Sequence, residues 1–157
     1  MVEVLITHLP LAERRITLRL IAYWEKMRNG RDMPEQEEII PADLHDLWEN
    51  CFLVRVKDAK KSDYHYTYLG DAIKRAYFGG TLQNDDIDKL VSLAAPKMGE
   101  DFGQVLASGK PLVNEGEFCN LDNETVRYRQ CILPLGKNGR VHAMLGGMRF
   151  RIFPGRP

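Results

Sequence analysis

The chain of 157 residues is long enough for one domain whose core needs neither disulfides nor a metal for stability. Basic and acidic residues both number 22, so the formal net charge is zero, which argues against a strong overall attraction to nucleic acid or to an anionic membrane. No apolar run is long enough to cross a bilayer, and no basic segment precedes an apolar run at the amino terminus, so we expect a cytoplasmic protein.

Residues 11–28 have the spacing of an amphipathic helix, with proline in the first turn and glycine after the end. Its apolar stripe consists of residues four, four and three positions apart, which share one helix face: Ile16, Leu20, Trp24 and Met27. A stripe this apolar must be covered. Two coverings remain open: the rest of the same chain, or a second copy. We expect a homodimer, to which these four residues contribute.

Charge is distributed unevenly along the first third of the chain. The front helix is rich in arginine, whereas residues 35–49 carry acidic side chains and no Lys or Arg. We interpret these segments as two solvated faces in contact with each other; a docking patch for a partner is the alternative.

The central part of the chain predicts a hairpin followed by helices. A short helix is predicted from Pro41 to about Trp48. Alternating residues 51–57 and 64–68 then form two strands joined by a polar turn, with the three tyrosines of the second strand on one face. Residues 71–77, 85–93 and 96–108 are predicted helices, and Gly109 ends the third.

Three further strands are predicted at residues 112–118, 125–132 and 141–153, joined by turns at 120–123 and 136–139. With the hairpin they give an α+β fold: a five-stranded antiparallel sheet with helices on one face and an extra N-terminal helix. Residues 1–40 are expected to be that helix and a linker packed on the domain, and residues 41–157 to be the domain itself.

Several short motifs occur in a characteristic order along most of the chain. They are Tyr23-Trp24, Gly30-Arg31 and Met33-Pro34, then Ile40-Pro41 with Asp43-Leu44, then Tyr64, Tyr66 and Gly70, and finally Leu133-Pro134-Leu135, Gly139 and Leu145-Gly146-Gly147. In this order they resemble PAS domains, and more closely the small stand-alone PAS-like proteins common in alphaproteobacteria. One departure is that residues 82–84 stand where a second glycine is expected.

The resemblance implies the usual PAS strand order, a ligand cleft between sheet and helices, and a non-enzymatic regulatory role through ligand binding or protein contacts. It also implies that a signal leaves through a partner protein. The side chains predicted to point into the cleft combine aromatic walls with one amide: Tyr66, Phe102, Tyr128, Gln130, His142 and Met144. These residues suit a small-molecule site and equally suit a filled core, and they identify no cofactor.

Histidines and cysteines give no metal pattern. Cys51, Cys119 and Cys131 match no zinc spacing and are predicted to be buried thiols. His65 is predicted to be exposed, whereas His142 begins a strand and is the candidate for an inward-facing histidine. A single inward histidine is how some PAS-type domains hold haem iron.

Charged residues alternate on two of the predicted strands. Arg127 and Arg129 share one face, and Glu115 and Glu117 share one face of the preceding strand, so cross-strand ion pairs are expected. This charged face either keeps the sheet soluble or orients a partner or the front helix.

An enzyme is the alternative function. Cone-shaped α+β isomerases and lyases use a buried carboxylate as general base, and Glu115, Glu117 and Asp122 are the candidates here. Their polar neighbours predict exposure, and the chain contains no nucleophile elbow, P-loop, GxGxxG turn or HExxH helix. We therefore expect no catalytic residues.

Overall fold

The sheet is built from five antiparallel strands in the order β2-β1-β5-β4-β3. The computed structural model describes residues 11–61, 63–80 and 87–155. The strands are β1 (Cys51–Asp58), β2 (Asp63–Leu69), β3 (Leu112–Cys119), β4 (Thr125–Lys137) and β5 (Arg140–Phe153). The helices are α1 (Leu11–Arg28), α2 (Asp71–Phe78), α3 (Ile87–Ala94) and α4 (Met98–Ser108). The predicted α+β fold is confirmed.

The hairpin of β4 and β5 forms the centre of the sheet. Its turn places Asn138 at φ 55° and Gly139 at φ 74°. Two successive residues with positive φ give the type I′ turn, whose twist matches that of the flanking strands, and Asn-Gly is the residue pair that adopts it most readily. This turn, together with the one-residue shift between Leu135 and Gly136, sets the register in which Gln130 lies opposite Met148.

Two consecutive glycines in β5 show that helices cover both faces of the sheet. A Cβ atom on Gly146 would overlap the ring of Phe52, whereas one on Gly147 would overlap the side chain of Leu20 in α1. Successive Cβ atoms of a strand point to opposite faces. The face that carries Phe52 also packs against Phe102 of α4, so we call it the inner face; α1 lies on the outer face.

The apolar stripe of α1 is covered by the chain's own sheet. Ile16, Leu20 and Trp24 are all buried, and the indole Nε1–H of Trp24 donates to the carbonyl oxygen of Pro134 at 2.7 Å. Only Met27 of the predicted dimer contact is half-buried. The three buried residues are therefore not available to a second subunit while α1 is docked, and self-association itself stays a prediction.

Arg19 of α1 and Arg31, just beyond its end, pair with the acidic segment that follows. Arg19 bonds to Asp46 through both carboxylate oxygens, and Arg31 lies 2.8 Å from Glu38. The contact between these two segments, predicted from their opposite charges, is present in the structure.

Two local predictions were wrong. Residues 41–48 do not form one helix; the segment instead contains two 3-10 turns, Pro41–Leu44 and Trp48–Asn50. In β2 a bulge pairs Tyr68 with Leu53 but Tyr66 with Val54, so these two tyrosines point to opposite faces. Tyr68 stacks on Trp48 instead, with 4.3 Å between ring centroids.

The glycine departure at residues 82–84 lies outside the described residues. The predicted helix at 85–93 is observed as α3. Among the described residues, no helix combines the length and apolar character needed to cross a bilayer.

Candidate functional site

An aromatic wall lies between the inner face of the sheet and α4. Its centre is Phe102, which is 2% exposed. The ring centroid of Phe102 is 5.1 Å from that of Tyr64, 6.1 Å from that of Tyr66 and 6.0 Å from that of Phe52. The wall forms because alternate residues of β1 and β2 face inward and α4 presents its apolar stripe to them.

A buried polar cluster lies beside this wall. Asn114 and Gln130 are direct cross-strand partners in β3 and β4, and Asp101 reaches them from the first turn of α4. The Gln130 amide nitrogen donates to Asp101 Oδ2 and to Asn114 Oδ1, both at 3.1 Å. The Asn114 amide donates to Asp101 Oδ1 at 3.1 Å. We call these three residues the amide cluster.

Burial controls the electrostatics of the amide cluster. It raises the pKa of Asp101 above the usual aspartate range, because a buried carboxylate loses hydration, while the hydrogen bonds from Asn114 and Gln130 partly oppose the shift. Burial also raises the pKa values of Tyr66, Tyr77 and Tyr128. The tyrosine hydroxyls therefore stay protonated and are available as hydrogen-bond donors.

Three buried polar atoms in this region have no hydrogen-bond partner among the described residues. They are Gln130 Oε1 and the hydroxyl oxygens of Tyr66 and Tyr77. The two hydroxyls neighbour each other and each affects the pKa of the other, but their geometry falls short of a well-formed hydrogen bond. Leaving a buried polar group unpaired costs about 1–3 kcal/mol of stability. The presence of three such groups in one region therefore requires an explanation.

A surface groove leads toward the aromatic wall. It has a volume of about 390 Å³ and lies between β2 and helices α3 and α4, with Tyr66 and Phe102 in its lining. Asp88 of α3 joins the two sides of the groove. Its carboxylate accepts a hydrogen bond from the backbone N–H of Tyr66 and lies 2.8 Å from Nδ1 of His65. This contact attaches α3 to the edge strand.

Five of the six predicted ligand residues lie on the inner face. The strand register and the ring contacts bring together Tyr66, Phe102, Tyr128, Gln130 and Met144. The sixth, His142, is exposed. The register passes from Leu135 opposite Ala143 to Gly136 opposite Val141, so His142 is bulged out of the ladder. Its inward orientation was predicted wrongly, and the haem hypothesis loses the residue on which it depended.

Asp101, Asn114 and Tyr77 were not predicted from the sequence as members of this site. A signal for Asp101 was present, because it lies three residues after Met98 and four before Val105, on the apolar stripe of α4. An acidic residue within such a stripe indicates a buried polar contact.

The acids proposed for the enzyme alternative lie elsewhere. Glu115 and Glu117 form the predicted ion pairs with Arg129 at 2.9 Å and Arg127 at 3.0 Å, on the outer face. Asp122 is exposed and accepts the backbone N–H of Gly80. None of these three carboxylates therefore joins the amide cluster.

The cysteine prediction holds for two of three residues. Cys51 and Cys131 are buried, whereas Cys119, near the end of β3, is exposed. His65 is half-exposed beside Asp88. Among the described residues, no group of three His, Cys, Asp or Glu side chains is placed to hold a metal ion.

Comparison with known proteins gives a family and several structures of similar fold. The family model for a PAS domain matches residues 12–149. A light-oxygen-voltage domain studied with a flavin analogue superposes with a TM-score of 0.54 at 16% identity, over 70% of this chain and 82% of that one. A PAS domain from Colwellia psychrerythraea gives 0.46 at 13%, over 71% and 96%. The PAS domain of BvgS from Bordetella pertussis gives 0.42 at 16%, over 73% and 89%.

No curated protein sequence matched the chain. At these identities the structural matches describe the fold alone. The family match, by contrast, covers α1 from residue 12, strands β1 to β4, β5 as far as Arg149, and the amide cluster. The chain therefore belongs to the PAS domain family.

Proposed function

We propose that the protein is a non-enzymatic sensory module that binds a small molecule between the inner face of the sheet and helices α2 to α4. One observation carries this proposal: Gln130 Oε1, Tyr66 OH and Tyr77 OH are buried without hydrogen-bond partners among the described residues. A ligand that pairs with them would remove a penalty that folding alone leaves in place. Membership of the PAS family supports the signalling role.

The chemistry of these atoms limits the ligand. Gln130 Oε1 accepts a hydrogen bond, so the ligand must carry a donor. The Asp101 carboxyl beside Gln130 disfavours an anionic group at the same place. The aromatic rings around Phe102 favour a flat or apolar body. We propose a neutral ring compound with at least one N–H or O–H donor.

The groove beside β2 is the proposed entry route. Its lining contains Tyr66, whose hydroxyl is one of the three unpaired atoms. Because Asp88 attaches α3 to Tyr66 and His65, a ligand that passes between β2 and α3 acts directly on this attachment. The proposed output is a change in the position of α3 that a partner protein detects.

The test is native mass spectrometry of the freshly purified protein, repeated under denaturing conditions. A mass excess that disappears on denaturation supports the proposal and gives the mass of the ligand. A bare protein mass, together with no thermal stabilisation by a panel of small donor-bearing ring compounds, contradicts it and favours a filled core with a role in protein contacts.

Tyrosine-to-phenylalanine variants locate the bound molecule. Tyr66→Phe and Tyr77→Phe should reduce the bound fraction without lowering the stability of the ligand-free protein, because each removes an unpaired hydroxyl. Tyr68→Phe is the matched control. Its hydroxyl donates to the carbonyl of Trp48 at 2.8 Å, outside the cluster, so its loss should leave ligand occupancy unchanged.

A further inference from the structure

Four arginines form two cross-strand rows on the outer face of the sheet. Arg127 of β4 lies opposite Arg151 of β5, and Arg129 lies opposite Arg149. All four line an open depression of about 590 Å³ that also contains Glu115, Glu117 and Phe153. We call these four residues the arginine ladder.

The two halves of the ladder differ in their partners. Arg127 and Arg129 on β4 are paired with Glu117 and Glu115 of the neighbouring strand. Arg149 and Arg151 on β5 are exposed, and neither forms an ion pair with any described carboxylate. Counted over the described residues alone, the ladder has a surplus of two positive charges, arranged in a line along β5.

Folding does not account for this arrangement. Like charges placed directly opposite each other on neighbouring strands destabilise a sheet. Exposed ion pairs such as those with Glu115 and Glu117 return little stability. The surplus charge also does not follow from the composition of the chain, whose formal net charge is zero.

We propose that the arginine ladder binds an acidic segment of a partner protein. Residues two apart on a strand are separated by about 7 Å along the backbone, so Arg149 and Arg151 extend from positions at that spacing on the same face. Each guanidinium can bind a carboxylate through two parallel N–H donors. A segment with two carboxylates at similar spacing, on a strand or on one face of a helix, matches this pair.

The charges of the depression favour an acidic peptide over nucleic acid. Glu115 and Glu117 stand in the same depression and would repel a continuous phosphate backbone. Nucleic-acid binding typically neutralises about 6–10 phosphates, which far exceeds a surplus of two. Phe153, partly exposed beneath the guanidinium of Arg127 at 5.1 Å, adds an apolar contact for a side chain of the peptide.

The second copy of this chain is a poorer occupant. Its most acidic stretch, residues 35–49, already uses Asp46 to pair with Arg19 of α1 and Glu38 to pair with Arg31. Docking on a neighbouring ladder through either of these carboxylates would require its ion pair to break. The proposed occupant is therefore a different acidic protein.

The experiment measures fluorescence anisotropy of a labelled oligoglutamate peptide titrated with the full chain. The test variant is Arg149→Gln with Arg151→Gln. The matched control is Arg55→Gln with Arg140→Gln, which removes the same charge from two other exposed arginines. Circular dichroism checks that both variants keep the wild-type melting temperature, and an oligothymidylate of equal length is measured in parallel.

The test variant should bind the peptide about 3- to 30-fold more weakly than wild type, as expected for the loss of two exposed ion pairs. The control should bind within about twofold of wild type, and binding should weaken between about 50 and 200 mM salt. Equal weakening in both variants, or no peptide binding by wild type at low salt, overturns the proposal. Tighter binding of the oligothymidylate, lost in the test variant, overturns it in favour of nucleic acid.

Discussion

Replacing Trp24 with alanine tests whether the front helix belongs to the core of its own domain. The indole is 3% exposed, and its Nε1–H donates to the Pro134 carbonyl at 2.7 Å. Removing a buried ring of this size costs about 3–5 kcal/mol. Because a domain has about 5–15 kcal/mol of stability in total, the variant should lose a large part of its free energy of unfolding.

A second variant separates the packing of Trp24 from its hydrogen bond. Trp24→Phe keeps an aromatic ring but leaves the buried carbonyl of Pro134 without its donor, at a cost of about 1–3 kcal/mol. Urea unfolding followed by circular dichroism measures both variants, and similar m-values would show that the same surface unfolds in each.

Two results would refute the reasoning. A loss below about 1 kcal/mol for Trp24→Ala would mean that α1 is not docked on the sheet in solution. A wild-type dimer that becomes a folded monomer of unchanged stability in size-exclusion chromatography would mean that the stripe contacts a second subunit. Loss of stability without a change in oligomeric state agrees with the structure.

Other variants test the packing and the charges. Gly147→Val should destabilise by about 1–3 kcal/mol in urea, because the new side chain overlaps α1. Gly99→Ala, at an exposed site of α4 with open space around its Cβ position, should instead stabilise by about 0.5–1 kcal/mol. The hydrogen bond from Arg75 holds the pKa of Glu124 at about 2, below its ordinary 4.5. Its stabilising contribution is present above pH 4.5 and is lost as pH falls toward 2, so Glu124→Gln should flatten this part of the melting-temperature profile. Asp101 acts in the opposite direction. Its pKa is raised in the folded state, so its protonation stabilises the fold as pH falls, and this gain in stability should be absent in Asp101→Asn.

The secondary structure was largely predictable because the patterns that specify it are local. The apolar spacing of residues 11–28 and the alternation of the strands require only neighbouring residues to be recognised. The two wrong side-chain orientations occurred where a strand gains one residue relative to its partner. Tyr68 and His142 both lie at such irregularities, and a single extra residue reverses the face to which a side chain points. A bulge is recognised from the register between two paired strands, so it cannot be predicted from the sequence of either strand alone.

The candidate site was less predictable because it depends on distant pairing. Gln130 was identified as an inward amide, but its partners Asp101 and Asn114 come from other elements. The covering of α1 is a similar case. Gly146 and Gly147 cannot be distinguished by sequence. Only the packed structure shows that Gly146 packs against the ring of Phe52, whereas Gly147 packs against α1 on the opposite face.

The proposed ligand site and the arginine ladder are carried by the same two strands. Gln130 lies opposite Met148 on the inner face, and one residue away Arg129 lies opposite Arg149 on the outer face. Because strands alternate, a change in twist at this point moves both faces together. Two residues before Arg149 in β5, Gly147 packs against α1 on the outer face, next to the ladder. A ligand that reorients Gln130 would therefore act through the backbone of β4 and β5, which also carries the arginine ladder, and this shared backbone would give the proposed ligand binding a short physical route to the proposed partner binding.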